Sequence, residues 1–212
     1  MKTALITGGS RGIGKATAEA LRAKGWEVIT PTRNELSFTI DAQVFEWASK
    51  QFNCEWDSVI MCHGEWFSNS LPMPPDWDRK YRMRVTNPMM LLNGMLIGGR
   101  VGCVVMVSST RGFVGGVNTG PYSAACAAQI ALMQGYAREY PGVRFNVVAP
   151  GWTDTDMGKI VKATGGVSNP NAVPQPASAV AEAIVGLVEG EENGKVLRVV
   201  DGQVTEAEWV WK

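Results

Sequence analysis

Short apolar runs alternate with amphipathic stretches along most of the chain. Residues 101–107 form the clearest run, because β-branched side chains follow one another there as in a strand that is covered on both faces. Other strands are predicted at residues 4–6, 26–30, 59–61, 144–148 and 195–200, with a weaker one at 36–39. Helices are predicted at residues 14–24, 41–50, 77–95, 121–139 and 177–189. This alternation predicts a single α/β domain over residues 1–212, with helices on both faces of a doubly wound parallel sheet.

Composition excludes several classes of protein. The 20 Lys and Arg balance the 20 Asp and Glu, so no overall field attracts nucleic acid or an anionic membrane. The longest apolar run, residues 89–99, is shorter than the roughly 20 residues of a membrane span. The first residues lead directly into a strand rather than into a signal peptide, so we expect a cytoplasmic protein. The four cysteines match neither a zinc-site nor a disulfide spacing, which predicts reduced thiols and no metal.

A glycine-rich segment lies between the first strand and the first helix. It reads Thr7-Gly8-Gly9-Ser10-Arg11-Gly12-Ile13-Gly14. Glycines let the backbone approach a pyrophosphate, and the helix N-terminus adds unpaired N–H groups and a positive dipole end. The pattern predicts a Rossmann-type dinucleotide site at Gly8, Ser10, Arg11, Gly12, Ile13 and Gly14, although a tight turn without a ligand would use the same glycines.

Three further matches, in the same order along the chain, give the glycine-rich segment a family context. Ser109 follows the strand at 101–107, and Tyr122 lies thirteen residues after it. The segment 146–157 contains Pro150-Gly151, and residues 194–202 form a last strand. With these features the chain resembles the short-chain dehydrogenase/reductase family over essentially its whole length.

The resemblance implies a reaction and a site. It implies an NADP(H)-dependent oxidoreductase that transfers hydride between a nicotinamide and a carbonyl or alcohol. Tyr122 would exchange a proton with the substrate oxygen and contact the cofactor, and Ser109 would hold that oxygen. Pro150, Gly151 and Thr153 would contact the cofactor. Read alone, Tyr122 could be an amphipathic residue at a helix start, and Ser109 a strand-end hydroxyl.

The chain departs from the family pattern beside Tyr122. The family has a lysine one helical turn later, and this chain has Cys126, which supplies no positive charge. A phenol with a pKa near 10 needs a nearby cation to favour its phenolate. Arg84 stands where the family has an asparagine, and Asn87 lies one turn further on. Our hypothesis is that the permanently charged Arg84 supplies the missing cation; the alternative is that it caps or pairs on the helix surface.

The third departure follows the strand at 59–61. The chain reads Cys62-His63-Gly64 where the family has Asn-Ala-Gly. The resemblance implies that Gly64 leaves room for the adenosine ribose. His63 is the only histidine, and its inferred place at the adenosine end favours a structural or cofactor-packing role over catalysis.

The end of the second predicted strand bears on cofactor choice. The stretch 30–34 holds no acidic residue for a ribose 2′-hydroxyl, whereas Arg33 suits a 2′-phosphate. Arg11 adds a second cation, as in family members that prefer NADP. These residues predict NADP(H) rather than NAD(H).

Substrate and assembly are less determined by the sequence. A loop at about 152–176, rich in glycine and proline, is expected to close over a small-molecule substrate. Trp66, Phe67, Phe113 and Trp152 either line an apolar pocket or pack in the interior. Small residues of the helix at 121–139, with the helix at 77–95, resemble the family's dimer interface and imply a homodimer or homotetramer. The alternative to an enzyme is a catalytically impaired NADP(H)-binding sensor or scaffold, because the lysine and the asparagine are both replaced.

Overall fold

The seven strands of the described residues belong to one sheet. The computed structural model describes residues 1–51, 53–67, 77–167, 169 and 171–207. The strands are β1 (Thr3–Thr7), β2 (Glu27–Ile29), β3 (Glu55–Met61), β4 (Arg100–Val107), β5 (Arg144–Pro150), β6 (Val196–Val200) and β7 (Gln203–Glu206). Their order is β2-β1-β3-β4-β5-β6-β7, and only the β6–β7 pair is antiparallel. The predicted doubly wound α/β fold is confirmed.

Helices cover both faces of this sheet. They are α1 (Gly12–Ala23), α2 (Asp41–Lys50), α3 (Trp77–Tyr81), α4 (Asn87–Gly98), α5 (Gly120–Glu139), α6 (Asp156–Ala163) and α7 (Ala177–Glu189). Along β4 the side chains of Val104 and Met106 join a core with α2, α4 and α5, whereas Val105 and Val107 join a second core with α1 and α7. Successive residues of a strand point to opposite faces, which explains why β4 is apolar throughout.

The chain reverses its direction across the sheet beside β1. From β1 it moves to β2 on one side, and then crosses to β3 on the other side of β1. At such a switch point the loops that leave neighbouring strands diverge and open a crevice beyond the carboxyl ends. The glycine-rich turn and Cys62–Gly64 leave the two strands there, which positions the site described below.

Four segments differ from the sequence prediction. Residues 36–39 form no strand, because Leu36 N–H donates to the Thr32 carbonyl in a turn. The helix predicted at 77–95 is interrupted by a π-helical turn, Arg82–Thr86, and then continues to Gly98. Helix α6 lies inside the predicted loop, and β7 pairs with β6 through a tight turn at Asp201 and Gly202.

The proline-rich residues 71–75, Pro170 of the loop at 152–176 and the tryptophans at positions 209 and 211 lie outside the described residues. Among the helices of the described part, none is long and apolar enough to cross a membrane. The four cysteines form no disulfide.

Candidate active site

Two adjoining cavities open beyond the carboxyl ends of β1, β3, β4 and β5. The smaller cavity, about 200 Å³, lies over the glycine-rich turn and the larger, about 540 Å³, lies over the ends of β4 and β5. Ile13, Cys62, His63, Gly64, Thr155 and Met157 line both, so the two form a continuous crevice.

The glycine-rich turn is shaped by close backbone packing. Gly8 adopts a φ of +70°, and a Cβ there would lie 2.8 Å from the backbone of His63. A Cβ at Gly14 would overlap the Gly8 carbonyl. At the start of α1, Arg11 makes no side-chain capping hydrogen bond, so the first-turn N–H groups remain available to the cavity beside them. The turn therefore fits an anionic group such as a pyrophosphate.

An aromatic pair forms one wall of the smaller cavity. The His63 and Phe38 rings stack with centroids 3.7 Å apart, and His63 Nδ1 shares a 2.7 Å hydrogen bond with Thr7 Oγ1. Burial, reinforced by the positive charge of Arg84, lowers the pKa of His63 to about 3. His63 is therefore neutral at physiological pH, and its contacts are those of a packing residue.

The segment after β2 presents Arg33 to the same cavity. Glu35 lies nearby in sequence, but its carboxylate accepts hydrogen bonds from Thr32 N–H (2.7 Å) and Thr32 Oγ1 (2.8 Å). These bonds lower the pKa of Glu35 and hold its charge against the turn. Arg33 and Arg11 both line the cavity. Arg11 Nη1 lies 4.0 Å from an Asp156 carboxylate oxygen, between exposed side chains that interact weakly.

Ser109 lies just after β4, and Tyr122 lies in the first turn of α5. The Ser108 hydroxyl donates to the Cys126 carbonyl (2.9 Å), which ties the end of β4 to the first turns of α5. The Arg111 backbone N–H donates to Ser109 Oγ (3.2 Å), so the serine hydroxyl keeps its own hydrogen for another acceptor. Ser109 and Tyr122 line the larger cavity.

Arg84 reaches Tyr122 from the π-helical turn. Its Nη2 donates to the Tyr122 hydroxyl (3.4 Å), and its Cζ lies 4.5 Å from the tyrosine ring centroid. The turn is π-helical because the Asn87 N–H bonds to the Arg82 carbonyl, five residues back. The Gln129 amide donates to the Arg84 carbonyl (2.9 Å) and so holds this turn against α5. Arg84 is 3% exposed, which rules out the alternative of a surface cap.

The Arg84 guanidinium lies against a backbone carbonyl and a thiol. Among the described residues it forms no ion pair; its Nε donates to the Glu65 backbone carbonyl (3.2 Å), and Nη1 lies 3.9 Å from Cys126 Sγ. Burial raises the pKa of Cys126 although Arg84 opposes this shift, so the thiol stays neutral. Burial also raises the pKa of Tyr122 to about 12, again against Arg84. The site thus holds a neutral phenol beside a permanent cation.

The crevice is lined by every residue that was predicted from the sequence as catalytic or cofactor-binding. Its smaller part is lined by Gly8, Ser10, Arg11, Gly12, Ile13, Gly14, Arg33 and Gly64, and its larger part by Arg84, Ser109, Tyr122, Pro150, Gly151 and Thr153. The space beside Gly64 is taken by Arg84, whose Nη2 would lie 2.8 Å from an added Cβ. Asn87 points away and donates to the Phe38 carbonyl and to Asp41, so it does not replace the family asparagine.

The predicted aromatic pocket is formed in part. Trp66, Phe113 and Trp152 line the larger cavity. Phe67 does not line it; its ring packs edge-on against Tyr122, with centroids 5.5 Å apart, behind the cavity wall. Among the described residues, no group of three or more His, Cys, Asp or Glu side chains could hold a metal ion.

Two residues of the loop predicted at 152–176, Thr155 and Gln175, were not singled out from the sequence. Thr155 caps α6 by accepting the Gly158 N–H (3.0 Å), and it lines both cavities. Gln175 bonds back to the Val199 carbonyl (2.8 Å) and fixes the far end of the loop. A Thr followed by an acidic residue at the start of an amphipathic stretch is a helix-start signal, and Thr155-Asp156 carries this signal for α6.

Known proteins resemble this chain in sequence and in fold. A family model described as short chain dehydrogenase matches residues 2–57 and 73–165. A 3-oxoacyl-acyl-carrier-protein reductase of Salmonella typhimurium is 30% identical over 184 residues, which cover 74% of this chain and 75% of the relative. A short-chain dehydrogenase family protein from Francisella tularensis superposes with a TM-score of 0.83 at 20% identity, covering 95% of this chain and 98% of that one. A small-chain dehydrogenase in complex with NADPH gives 0.81 at 19% identity, covering 95% and 97%.

Proposed function

The chain belongs to the short-chain dehydrogenase family, a family of nicotinamide-dependent oxidoreductases, and we propose that it reduces a small carbonyl compound with NADPH. One observation carries this proposal. The Tyr122 hydroxyl lies 3.4 Å from the buried guanidinium of Arg84, and the larger cavity is lined by both residues together with Ser109. An acid, a hydrogen-bond donor and a cation therefore surround the place where a carbonyl oxygen would lie.

The residues present fit the dinucleotide. The uncapped start of α1 and the turn from Gly8 to Gly14 would hold the pyrophosphate. Pro150, Gly151 and Thr153 would border the nicotinamide end. When bound, the cofactor supplies the hydride. Arg33 and Arg11 favour NADP(H), because Glu35, the nearby acid, is held by Thr32 and is not presented to a ribose 2′-hydroxyl.

The side chains divide the remaining chemistry. Ser109, whose oxygen already accepts the Arg111 N–H, donates its hydrogen to the carbonyl oxygen of the substrate. Tyr122 then transfers its proton to the same oxygen as the alcohol forms. Arg84 stabilises the phenolate that remains, in the role that a lysine has in the family pattern. Cys126, a neutral thiol, supplies no charge.

The charge state of Tyr122 favours the reductive direction. With its pKa raised to about 12, Tyr122 carries its proton throughout the physiological range. A protonated phenol can donate to a carbonyl oxygen, whereas oxidation of an alcohol needs the phenolate as a base. We therefore propose carbonyl reduction as the faster direction near neutral pH.

The first experiment measures NADPH oxidation with a panel of small ketones and aldehydes. The wild-type protein is expected to be active, and Tyr122→Phe and Ser109→Ala to lose most of that activity. Tyr136→Phe is the matched control, because Tyr136 lies on the same helix and its hydroxyl bonds to Asn93 outside the site. NADPH binding without turnover by the wild-type protein would favour the sensor or scaffold alternative.

A direct titration tests cofactor choice. The Kd for NADPH is expected to be at least about tenfold lower than that for NADH, because one charge-assisted phosphate contact contributes about that factor. Arg33→Gln should remove most of the difference. Equal affinities in the wild-type protein would contradict the preference for NADP(H).

We also propose that the protein is a cytoplasmic homodimer or homotetramer. Helix α5 has a partly exposed surface of small side chains, formed by Ala124, Ala127, Ala128 and Ala131. On α4, Ile97 is 79% exposed. Such surfaces favour close helix packing between copies. Light scattering at micromolar concentration checks this proposal, and a monomer mass would contradict it.

A further inference from the structure

The larger cavity is strongly positive in a chain whose formal net charge is zero. Arg84, Arg111 and Arg198 line it, and Asp201 is the single carboxylate among its described lining residues. Arg84 is buried without an ion pair among the described residues. Three guanidinium groups against a single carboxylate give the described lining an excess of positive charge, which favours an anionic occupant.

Arg198 lies at the exposed side of the cavity. Its Cζ lies 5.7 Å from the centroid of the Phe113 ring, which also lines the cavity. Within the described part of the chain, Arg198 forms neither an ion pair nor a hydrogen bond from its side chain. Arg198 lies on β6 opposite Thr205 of β7, so the sheet fixes the backbone from which its side chain extends. A guanidinium held this way can bind a carboxylate or phosphate through two parallel hydrogen bonds.

Arg111 lies next to Ser109, which is proposed to bind the substrate carbonyl. Its backbone N–H bonds to Ser109 Oγ (3.2 Å), and its Nη2 donates to the Gly166 carbonyl (2.7 Å) of the loop after α6. Ser109 and Arg111 lie two residues apart along the same short turn. Both residues line the larger cavity, so one small substrate could reach this guanidinium with its anionic group and Ser109 with its carbonyl.

We propose that the substrate is an oxo compound that carries an anionic group, a carboxylate or a phosphate, a few bonds from its carbonyl. This inference rests on the function proposed above. The carbonyl oxygen lies at Ser109 and Tyr122, and the anion faces Arg198 with Arg111 beside it. Arg84 remains with Tyr122, where it compensates for the phenolate.

Matched pairs of substrates test the charge separately from the carbonyl. The probes are 4-oxopentanoate against its methyl ester, and dihydroxyacetone phosphate against dihydroxyacetone. For one of the two pairs, kcat/KM with NADPH is expected to be at least about tenfold higher for the charged member. The pair that shows the difference identifies the anion as a carboxylate or as a phosphate.

Substitutions at Arg198 locate the effect. Arg198→Gln should lower kcat/KM for the charged substrate about tenfold, mainly through KM, and reduce the charged-to-neutral ratio. Arg198→Lys should recover part of the ratio, because it restores the charge without the paired hydrogen bonds. Arg100→Gln is the control, because Arg100 is exposed at the amino end of β4, where it pairs with Glu55.

The outcomes separate this inference from the proposed reduction. Equal kcat/KM values within both pairs would overturn the anion preference and leave the carbonyl reduction intact. If no probe is reduced, calorimetric titration of the NADPH-loaded protein with the same pairs measures whether the charged probe binds more tightly than the neutral one. Binding of one charged probe that Arg198→Gln weakens would support the anion site without the reaction. The absence of a difference between charged and neutral probes would refute it.

Discussion

Replacement of Arg84 by methionine tests the proposed compensation for the missing lysine. The Arg84 Nη2 lies 3.4 Å from the Tyr122 hydroxyl. At an effective dielectric constant of about 20, a cation and a full phenolate charge at this distance attract each other by about 5 kcal/mol. If roughly half of that charge has developed in the transition state, the loss is about 2.5 kcal/mol, or about 70-fold in kcat.

The assay compares kcat for NADPH-dependent carbonyl reduction at saturating substrate. Arg82→Met is the matched control, because Arg82 lies on the same π-helical turn but is exposed and pairs with Asp78 and Asp41. Its kcat should stay within about twofold of the wild-type value. Arg84→Met should fold as well as the wild-type protein, because methionine fills similar space without a buried charge.

A rescue experiment separates charge from packing. Arg84→Ala leaves a cavity shaped for a guanidinium, so added methylguanidinium is expected to restore part of kcat. It should not restore Tyr122→Phe, in which the proton donor itself is absent. An Arg84→Met variant with a kcat within about threefold of the wild-type value would refute the reasoning, because it would show that the guanidinium does not stabilise the developing phenolate.

Three other predictions test the contacts of Gly64, Cys126 and His63. Gly64→Ala would place a Cβ 2.8 Å from Arg84 Nη2, so its kcat should fall toward that of Arg84→Met; an unchanged kcat would contradict the position of the guanidinium. Cys126→Lys would add a second buried cation next to Arg84, whose Nη1 lies 3.9 Å from Sγ, so the free energy of unfolding in urea should fall. Arg84→Asn should recover part of that loss in the double variant, and additive effects of the two substitutions would contradict this coupling. The pKa of His63 is lowered to about 3, so below pH 6.5 the unfolded chain binds more protons than the folded one. Stability should therefore decrease as the pH falls from about 6.5 toward 3, by about 1.4 kcal/mol per pH unit, and the decrease should be smaller in His63→Asn.

Much of the fold could be predicted because its elements are encoded locally. The continuous apolar run of β4 indicates a strand that is covered on both faces, and the periodicity of α1 and α7 indicates helices that cover it. The spacing of Ser109 and Tyr122 and the glycine-rich turn identify the family before any coordinates are considered. Residues 36–39 show the limit of such reasoning. Their apolar pattern suits a strand, but the Leu36 N–H bonds to the Thr32 carbonyl and places the segment in a turn.

The tertiary structure decided which partner each unusual residue has. From the sequence, Arg84 could equally lie on the helix surface, and Asn87 could equally face the site. The π-helical turn is held by Gln129, 45 residues from Arg84 in the chain, and it directs Arg84 toward Tyr122 and the buried Asn87 toward Phe38 and Asp41. Contacts of this kind join residues far apart in the chain through packing and desolvation, which no local pattern of residues records. The sequence by itself determined the fold and the places of Ser109 and Tyr122 within it, and only tertiary packing brought the buried Arg84 to Tyr122.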